Sequence, residues 1–319
     1  MAIKMSGSVA RPFTRLLGFG AVLVLVAAFP GAGVAAGPIT ELVSVDSDET
    51  SAVYGAAPSD VSNGGRYVLL STHSPNLVVG DTNAKHDVFV RDRFAGTTER
   101  VSVDSAGNEA NGSSYGRQIS NDGRFVLFIS HASNLIAGDD NNRQDVFVHD
   151  MQTGITEVVS ARSDGSFTKP GTLPSAAMSS DGRFVTFASS GNGLTSDRTN
   201  KYPQIFVHDR VTADTELVSA GRRGRPANDI CLGSSVSADG QKVAFTSYAT
   251  NLVRKDTPRK RKVFVAGLTH NTVGVRLVSK TFDGSRVDGY GSDGATIADD
   301  GRTMGLGLRC LEDCAWRPR

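Results

Sequence analysis

The sequence predicts an all-β fold assembled from repeated four-stranded antiparallel sheets, on three observations. One ordered segment pattern recurs along the chain at intervals near 58 residues. Its strand-like runs are rich in β-branched and aromatic residues. The 319 residues include 35 glycines and only 7% aromatics, which suits short strands joined by turns better than long helices. With 39% hydrophobic and 21% charged side chains the chain can bury a core, and the composition excludes disorder and collagen-like sequence.

The first element is a leader. Lys4, Arg11 and Arg15 stand without any acid in residues 1–15, and an apolar run from Leu16 to Phe29 follows. This reads as a secretory signal peptide over residues 1–36, cleaved after Ala36 in the small-residue stretch Val34-Ala35-Ala36. The apolar run falls short of the roughly 20 residues that span a bilayer, which argues against a retained anchor. Beyond the leader, 31 basic and 33 acidic residues give a charge of −2, which argues against general affinity for nucleic acid. The expected location is the periplasm or the outside of the cell, as a monomer.

The repeats fill residues 37–319 as a single domain. A turn, Asn63-Gly64-Gly65-Arg66, returns as Asn121-Asp122-Gly123-Arg124, Ser180-Asp181-Gly182-Arg183, Ala238-Asp239-Gly240-Gln241 and Asp299-Asp300-Gly301-Arg302. Its last glycine is spaced by 58, 59, 58 and 61 residues. Strand-like runs follow each of the first four turns, as in Phe125-Val-Leu-Phe128, then Asp145-Val-Phe-Val148, then Glu157-Val-Val-Ser160. The run preceding each turn is built of small residues, such as Pro174-Ser-Ala-Ala-Met-Ser179. Small inner strands and bulky outer ones fit sheets arranged radially, where the innermost strands crowd an axis. The expected architecture is therefore a β-propeller. Its units are about 57–103, 115–160, 174–219, 232–279 and 293–319, the last completed by residues 39–45, whose Glu41-Leu-Val-Ser44 is an orphan copy of the fourth strand. That gives five blades closed by the N-terminal strand, with six-bladed relatives as the alternative.

The order Ser-x-Asp-Gly-Arg-Phe-Val-x-Phe, Asp-Val-Phe-Val-x-Asp, Gly-x-Thr-x-x-Val-Ser resembles the WD40-like repeats of TolB-type β-propellers over residues 38–309. The resemblance implies a propeller and a bias towards protein binding. Gly267 departs from the pattern at the position of Asp92, Asp150 and Asp209, and no separate N-terminal domain precedes the repeats, so TolB's envelope role does not transfer.

In such blades the long loops, about 71–86, 129–144, 189–203 and 247–261, share one face with the connections between blades, and this face is the expected site. Two of its segments are basic: Arg254, Lys255, Arg259, Lys260, Arg261 and Lys262, with Arg222, Arg223 and Arg225 in the connection entering the same blade. They read either as an anion site for an acidic glycan or protein or as a solvated loop. The loops of the first two blades offer oxygen donors, Asp81, Asn83 and Asp87, then Asp139, Asn141 and Asp145, which a calcium ion would accept. Asn and Asp also make turns with their own backbone, and no other cofactor is indicated.

Cys310 and Cys314 bracket a three-residue turn and could form a disulfide, leaving Cys231 odd, and a pairing with Cys231 is the alternative. Gly112-Ser-Ser114-Tyr-Gly116 matches a hydrolase elbow but is expected in a connection between blades rather than between a strand and a helix. His149 and His208 share the repeat position of Arg91 and are expected as exposed strand residues. The recurring Asp92, Asp150 and Asp209 read as turn-makers, since one active site needs one constellation. The leading expectation is an exported, non-catalytic scaffold that binds a protein or glycan through its long-loop face. The alternatives are a polysaccharide hydrolase or lyase at the channel mouth and a calcium-stabilised structural module.

Overall fold

The computed structural model describes residues 23–26, 39–168, 172–195, 200–221, 224–254, 261–269, 272–279 and 292–308. Strands β1 (Leu23–Val26) and β2 (Ile39–Leu42) pair with each other. Four sheets of four antiparallel strands follow in chain order. The first comprises β3 (Ala57–Val61), β4 (Tyr67–Thr72), β5 (Asp87–Asp92) and β6 (Thr97–Arg100). The second comprises β7 (Ser114–Ile119), β8 (Phe125–Ser130), β9 (Asp145–Asp150) and β10 (Ile155–Val158). The third is β11 (Thr172–Met178), β12 (Phe184–Ser189), β13 (Gln204–Asp209) and β14 (Asp214–Leu217). The fourth is β15 (Cys231–Val236), β16 (Lys242–Ser247), β17 (Lys262–Thr269) and β18 (Thr272–Leu277). A fifth sheet contributes β19 (Ser292–Ile297) and β20 (Met304–Leu308).

Each sheet is a meander, and its first strand touches the first strand of the next: β3 with β7, β7 with β11, β11 with β15, β15 with β19. This is the blade order of a β-propeller. Side chains at or beside the bulge of each first strand stitch it to the next blade. The Asp60 carboxylate accepts from Ile119 N at 3.0 Å, Gln118 Oε1 from Met178 N at 2.5 Å, Ser175 Oγ from Gly233 N at 3.0 Å and Ser235 Oγ from Ile297 N at 3.1 Å. Polar side chains are therefore needed there for bonding. The second and third strands are buried along most of their length because both faces are covered by neighbouring blades. Phe128 stacks on Phe147, Phe187 on Phe206 and Phe245 on Phe264 across paired strands, with centroids 5.4–5.7 Å apart.

The repeated Val-Ser of the fourth strand also has a reason. Ser160 Oγ donates to Asp145 at 2.7 Å and accepts from Val146 N at 3.0 Å, and Ser219 does the same with Gln204 and Ile205 N. The serine saturates a fully buried side chain at the start of the third strand.

The N-terminal strand stands in register with the repeat. Thr98 Oγ1 donates to Val45 O as Thr156 Oγ1 does to Val103 O, and Arg93 pairs with Glu41 as Arg210 pairs with Glu157. Residues 41–56 thus lie against the first blade as residues 99–114 lie against the second. The strand partner differs from the expected one: β2 pairs with β1, inside the expected leader, and not with the fifth sheet. The rest of the last unit after Leu308, with Cys310 and Cys314, and the leader outside Leu23–Val26 lie beyond the described residues. Among the described residues, no helix is long and apolar enough to cross a membrane.

Candidate functional site

On the long-loop face the four loops between second and third strands start one residue past β4, β8, β12 and β16. In the first blade, Thr72 pairs with Asp87, which sets His73 against His86 just beyond the strand ends. The two imidazoles stand 4.9 Å apart, Tyr54 stacks on His73 at 4.5 Å, and Tyr115 of the second blade stacks on His86 at 5.4 Å. The result is a four-ring ladder bridging two blades, with Tyr54 50% and Tyr115 36% exposed. Burial, and the neighbouring His73, hold the His86 pKa below its ordinary value, so His86 is neutral at neutral pH. Polarizable ring edges and faces beside open solvent make a platform for a sugar ring or an aromatic side chain. The next three blades do not carry it: the His73 position is His131, Ser190 and Tyr248, and the His86 position is Gln144, Pro203 and Arg261.

The basic residues distribute unevenly. Arg225 and Arg254 are exposed, Arg261 is half-buried, and Lys262 is buried at the start of β17 in the repeat position of Asp87, Asp145 and Gln204. Arg222, Arg223, Lys255, Arg259 and Lys260 lie outside the described residues.

The oxygen-rich loops are internal clamps. Asn83 Nδ2 donates to Asp87 at 2.8 Å, and its amide oxygen accepts from Lys85 N at 2.6 Å. Asn141 does the same with Asp145 at 2.7 Å and Arg143 N at 2.6 Å. In the third blade Asn200 and Gln204 take these positions with an amide in place of the carboxylate, so hydrogen bonding is what recurs and charge is not. Asp81 stands 3.8 Å from Arg100, and Asp139 is held up at about 6 by burial and by Asp145. Among the described residues no group of three or more His, Cys, Asp or Glu is placed to hold a metal ion.

Three readings change or sharpen. His149 is buried and His208 half-buried, not exposed: each Nδ1 bonds a threonine hydroxyl, Thr156 or Thr215, at 2.9 Å. The third strand is covered on both faces, so strand alternation gave no outward side. Burial lowers both imidazole pKa values. Ser114 begins β7 rather than lying in a connection, is fully buried, and bonds Ser130 Oγ at 2.8 Å. Asp92, Asp150 and Asp209 serve their turns as expected. Each accepts the backbone N–H two residues on and a bidentate arginine, Arg66, Arg124 or Arg183, whose guanidinium holds the carboxyl below the usual range. Cys231 is a buried free thiol pushed up to about 12 by burial.

The fold and sites define the class: a β-propeller of four-stranded blades with its singular features on the loop face. No family model and no curated protein matches the sequence. Solved structures similar to it include the tricorn protease, at 14% identity and a TM-score of 0.44 over 73% of this chain and 19% of that one. A putative TolB from Agrobacterium tumefaciens has 18% identity and a TM-score of 0.42 over 76% and 70% of the two chains. An oligogalacturonate lyase in complex with manganese has 11% identity and a TM-score of 0.37 over 90% and 77%. This chain therefore corresponds to about a fifth of the tricorn protease.

Proposed function

We propose that the protein is an exported, non-catalytic scaffold that binds a protein or glycan partner through the long-loop face of its propeller. The observation that carries this reading is the Tyr54–His73–His86–Tyr115 ladder. Among the described residues it is built once, and it joins two blades and leaves two tyrosine rings open to solvent. Half-exposed aromatic residues in a concave or loop-rich surface are the groups that dominate binding energy. Among the described residues the serine of the Gly-x-Ser-x-Gly sequence has Gly112 O and Ser130 Oγ as its hydroxyl's partners, and neither is a base that would activate it. Capture from envelope extract and from a glycan array is compared between the intact chain and Tyr54→Ala/Tyr115→Ala. Truncating both rings is expected to weaken binding by tenfold or more. Equal capture by the two proteins, at equal thermal stability, would overturn this assignment.

A further inference from the structure

On the opposite face, where the short turns lie, neighbouring blades are separated by grooves that the repeat builds from equivalent parts. The three grooves between the first four blades each have the glutamate of a fourth strand, the first aromatic residue of a second strand, the carbonyl of the last turn glycine in the next blade, and the residue next after the position shared by Asp92, Asp150, Asp209 and Gly267 in that blade. Equivalence of the last position is fixed by one backbone bond: Arg93, Met151, Arg210 and Leu268 donate N–H to Arg66, Arg124, Arg183 and Gln241.

Between the second and third blades the groove is filled. Arg210 pairs with Glu157, donates to Gly182 O at 2.5 Å, and lies 4.2 Å from the centroid of Phe125, whose ring also carries Arg124 at 4.6 Å. Ahead of the first blade Arg93 does the same with Glu41 and Gly65 O. Between the fourth blade and the fifth sheet the glutamate position is Arg276, and Lys242 supplies the cation on Gly301 O at 3.0 Å.

The two remaining grooves keep the whole receptor and lack the occupant. Between the first and second blades Tyr67, Glu99 and Gly123 stand around Met151, in a cavity of about 370 Å³. Between the third and fourth, Phe184, Glu216 and Gly240 stand around Leu268, in about 510 Å³. Among the described residues neither Glu99 nor Glu216 has an ion-pair partner, and no donor reaches Gly123 O or Gly240 O. Tyr67 and Phe184 each carry their own blade's guanidinium, Arg66 or Arg183, at 4.7 Å, and lack the second one that Phe125 has. The surrounding charges match those of the filled groove: Asp92, Asp122 and Arg124 in one correspond to Asp150, Asp181 and Arg183 in the other. Partial desolvation raises the Glu99 pKa from its ordinary value.

We propose that these two grooves are receptor sites for arginine side chains of a partner protein. A guanidinium is planar, stacks on an aromatic face and offers several donors in a fixed fork, which is what a carboxylate, a carbonyl and a ring demand together. The chain's own arginines reach the glutamate and the glycine carbonyl through side-chain atoms alone, and in the open grooves Met151 and Leu268 already make the backbone bond, so a side chain entering from outside can supply the contacts that are missing. This surface is separate from the loop-face ladder and does not depend on it.

The test uses the full chain with methionine-methyl NMR. Met151 reports the first groove, and Leu268→Met places the same reporter in the second. N-acetyl-arginine amide is expected to shift both methyls saturably, while the neutral isostere N-acetyl-citrulline amide shifts neither. Glu99→Gln and Glu216→Gln are each expected to weaken binding about tenfold in their own groove. Met151→Arg with Leu268→Arg, which fills both grooves from within, should abolish binding as read by calorimetry. Arg210→Met, if it stays folded, should add one equivalent. The proposal fails if the arginine and citrulline amides behave alike, if the doubly filled variant still binds, or if only free arginine, with its charged termini, is bound.

Discussion

At the scale of single residues, burial decides chemistry more than identity does. Asp139 is lifted to about 6 by partial burial and by Asp145, whereas its unfolded value lies near 3.9. A carboxyl whose folded pKa is raised costs stability once pH exceeds that value, and the cost disappears as pH falls below the unfolded one. Asp139→Asn keeps an oxygen to accept from Asn141 N and removes the charge. It should therefore raise the melting temperature at pH 8 and leave it nearly unchanged at pH 4, as thermal denaturation at the two values would show. Equal shifts at both would place the penalty elsewhere. The opposite sign applies to Asp150, whose pairing with Arg124 stabilises the fold above the ordinary carboxylate range and is lost as pH drops below it. In the core, Phe147→Ala removes a fully buried ring stacked on Phe128 and should cost about 3–5 kcal/mol in chemical denaturation.

At the scale of elements, the Asp-Gly turn shows how far a sequence carries and where it stops. The repeated turn, the Phe-Val strands and the small first strands were legible because each is a local pattern that returns at fixed spacing. Their physical meaning needed coordinates. Gly182 sits at φ +79°, and a Cβ there would fall 2.3 Å from the Phe125 ring of the preceding blade, with the same clash repeated at Gly123 against Tyr67 and Gly240 against Phe184. The glycine is demanded both by the left-handed backbone and by an aromatic ring about 57 residues earlier in sequence. Gly182→Ala should therefore destabilise by more than the roughly 1 kcal/mol of backbone strain alone. A loss within that figure would mean the ring moves aside freely. The ring ladder was legible only in part. His73 and His86 flank the ends of paired strands, so cross-strand register would have joined them, but Tyr54 arrives from the segment before β3 and Tyr115 from the first strand of the next blade. The inward His149 was missed because alternation carries no direction in a strand covered on both faces.

At the scale of the whole molecule, the question is what holds the N-terminal segment against the first blade. The contacts lie downstream of the expected cleavage site. Val43 and Val45 are buried, Thr98 Oγ1 and Ser47 Oγ link the segment to β6, and Arg93 fixes Glu41. Pairing with β1 adds a single four-residue ladder. A chain lacking residues 1–36 should therefore keep the fold and melt within a few degrees of the full chain, while one lacking residues 1–46 uncovers Val68 and the buried face of Thr98 and should melt markedly lower. The buried apolar area of two valines alone is worth about 3 kcal/mol or more, enough to separate the two chains in a thermal scan. If removing residues 1–36 collapses the fold, β1 is part of the propeller edge and the leader reading falls. If both truncations melt alike, residues 39–46 contribute nothing, and the repeat register seen at Glu41 and Val45 has no energetic weight.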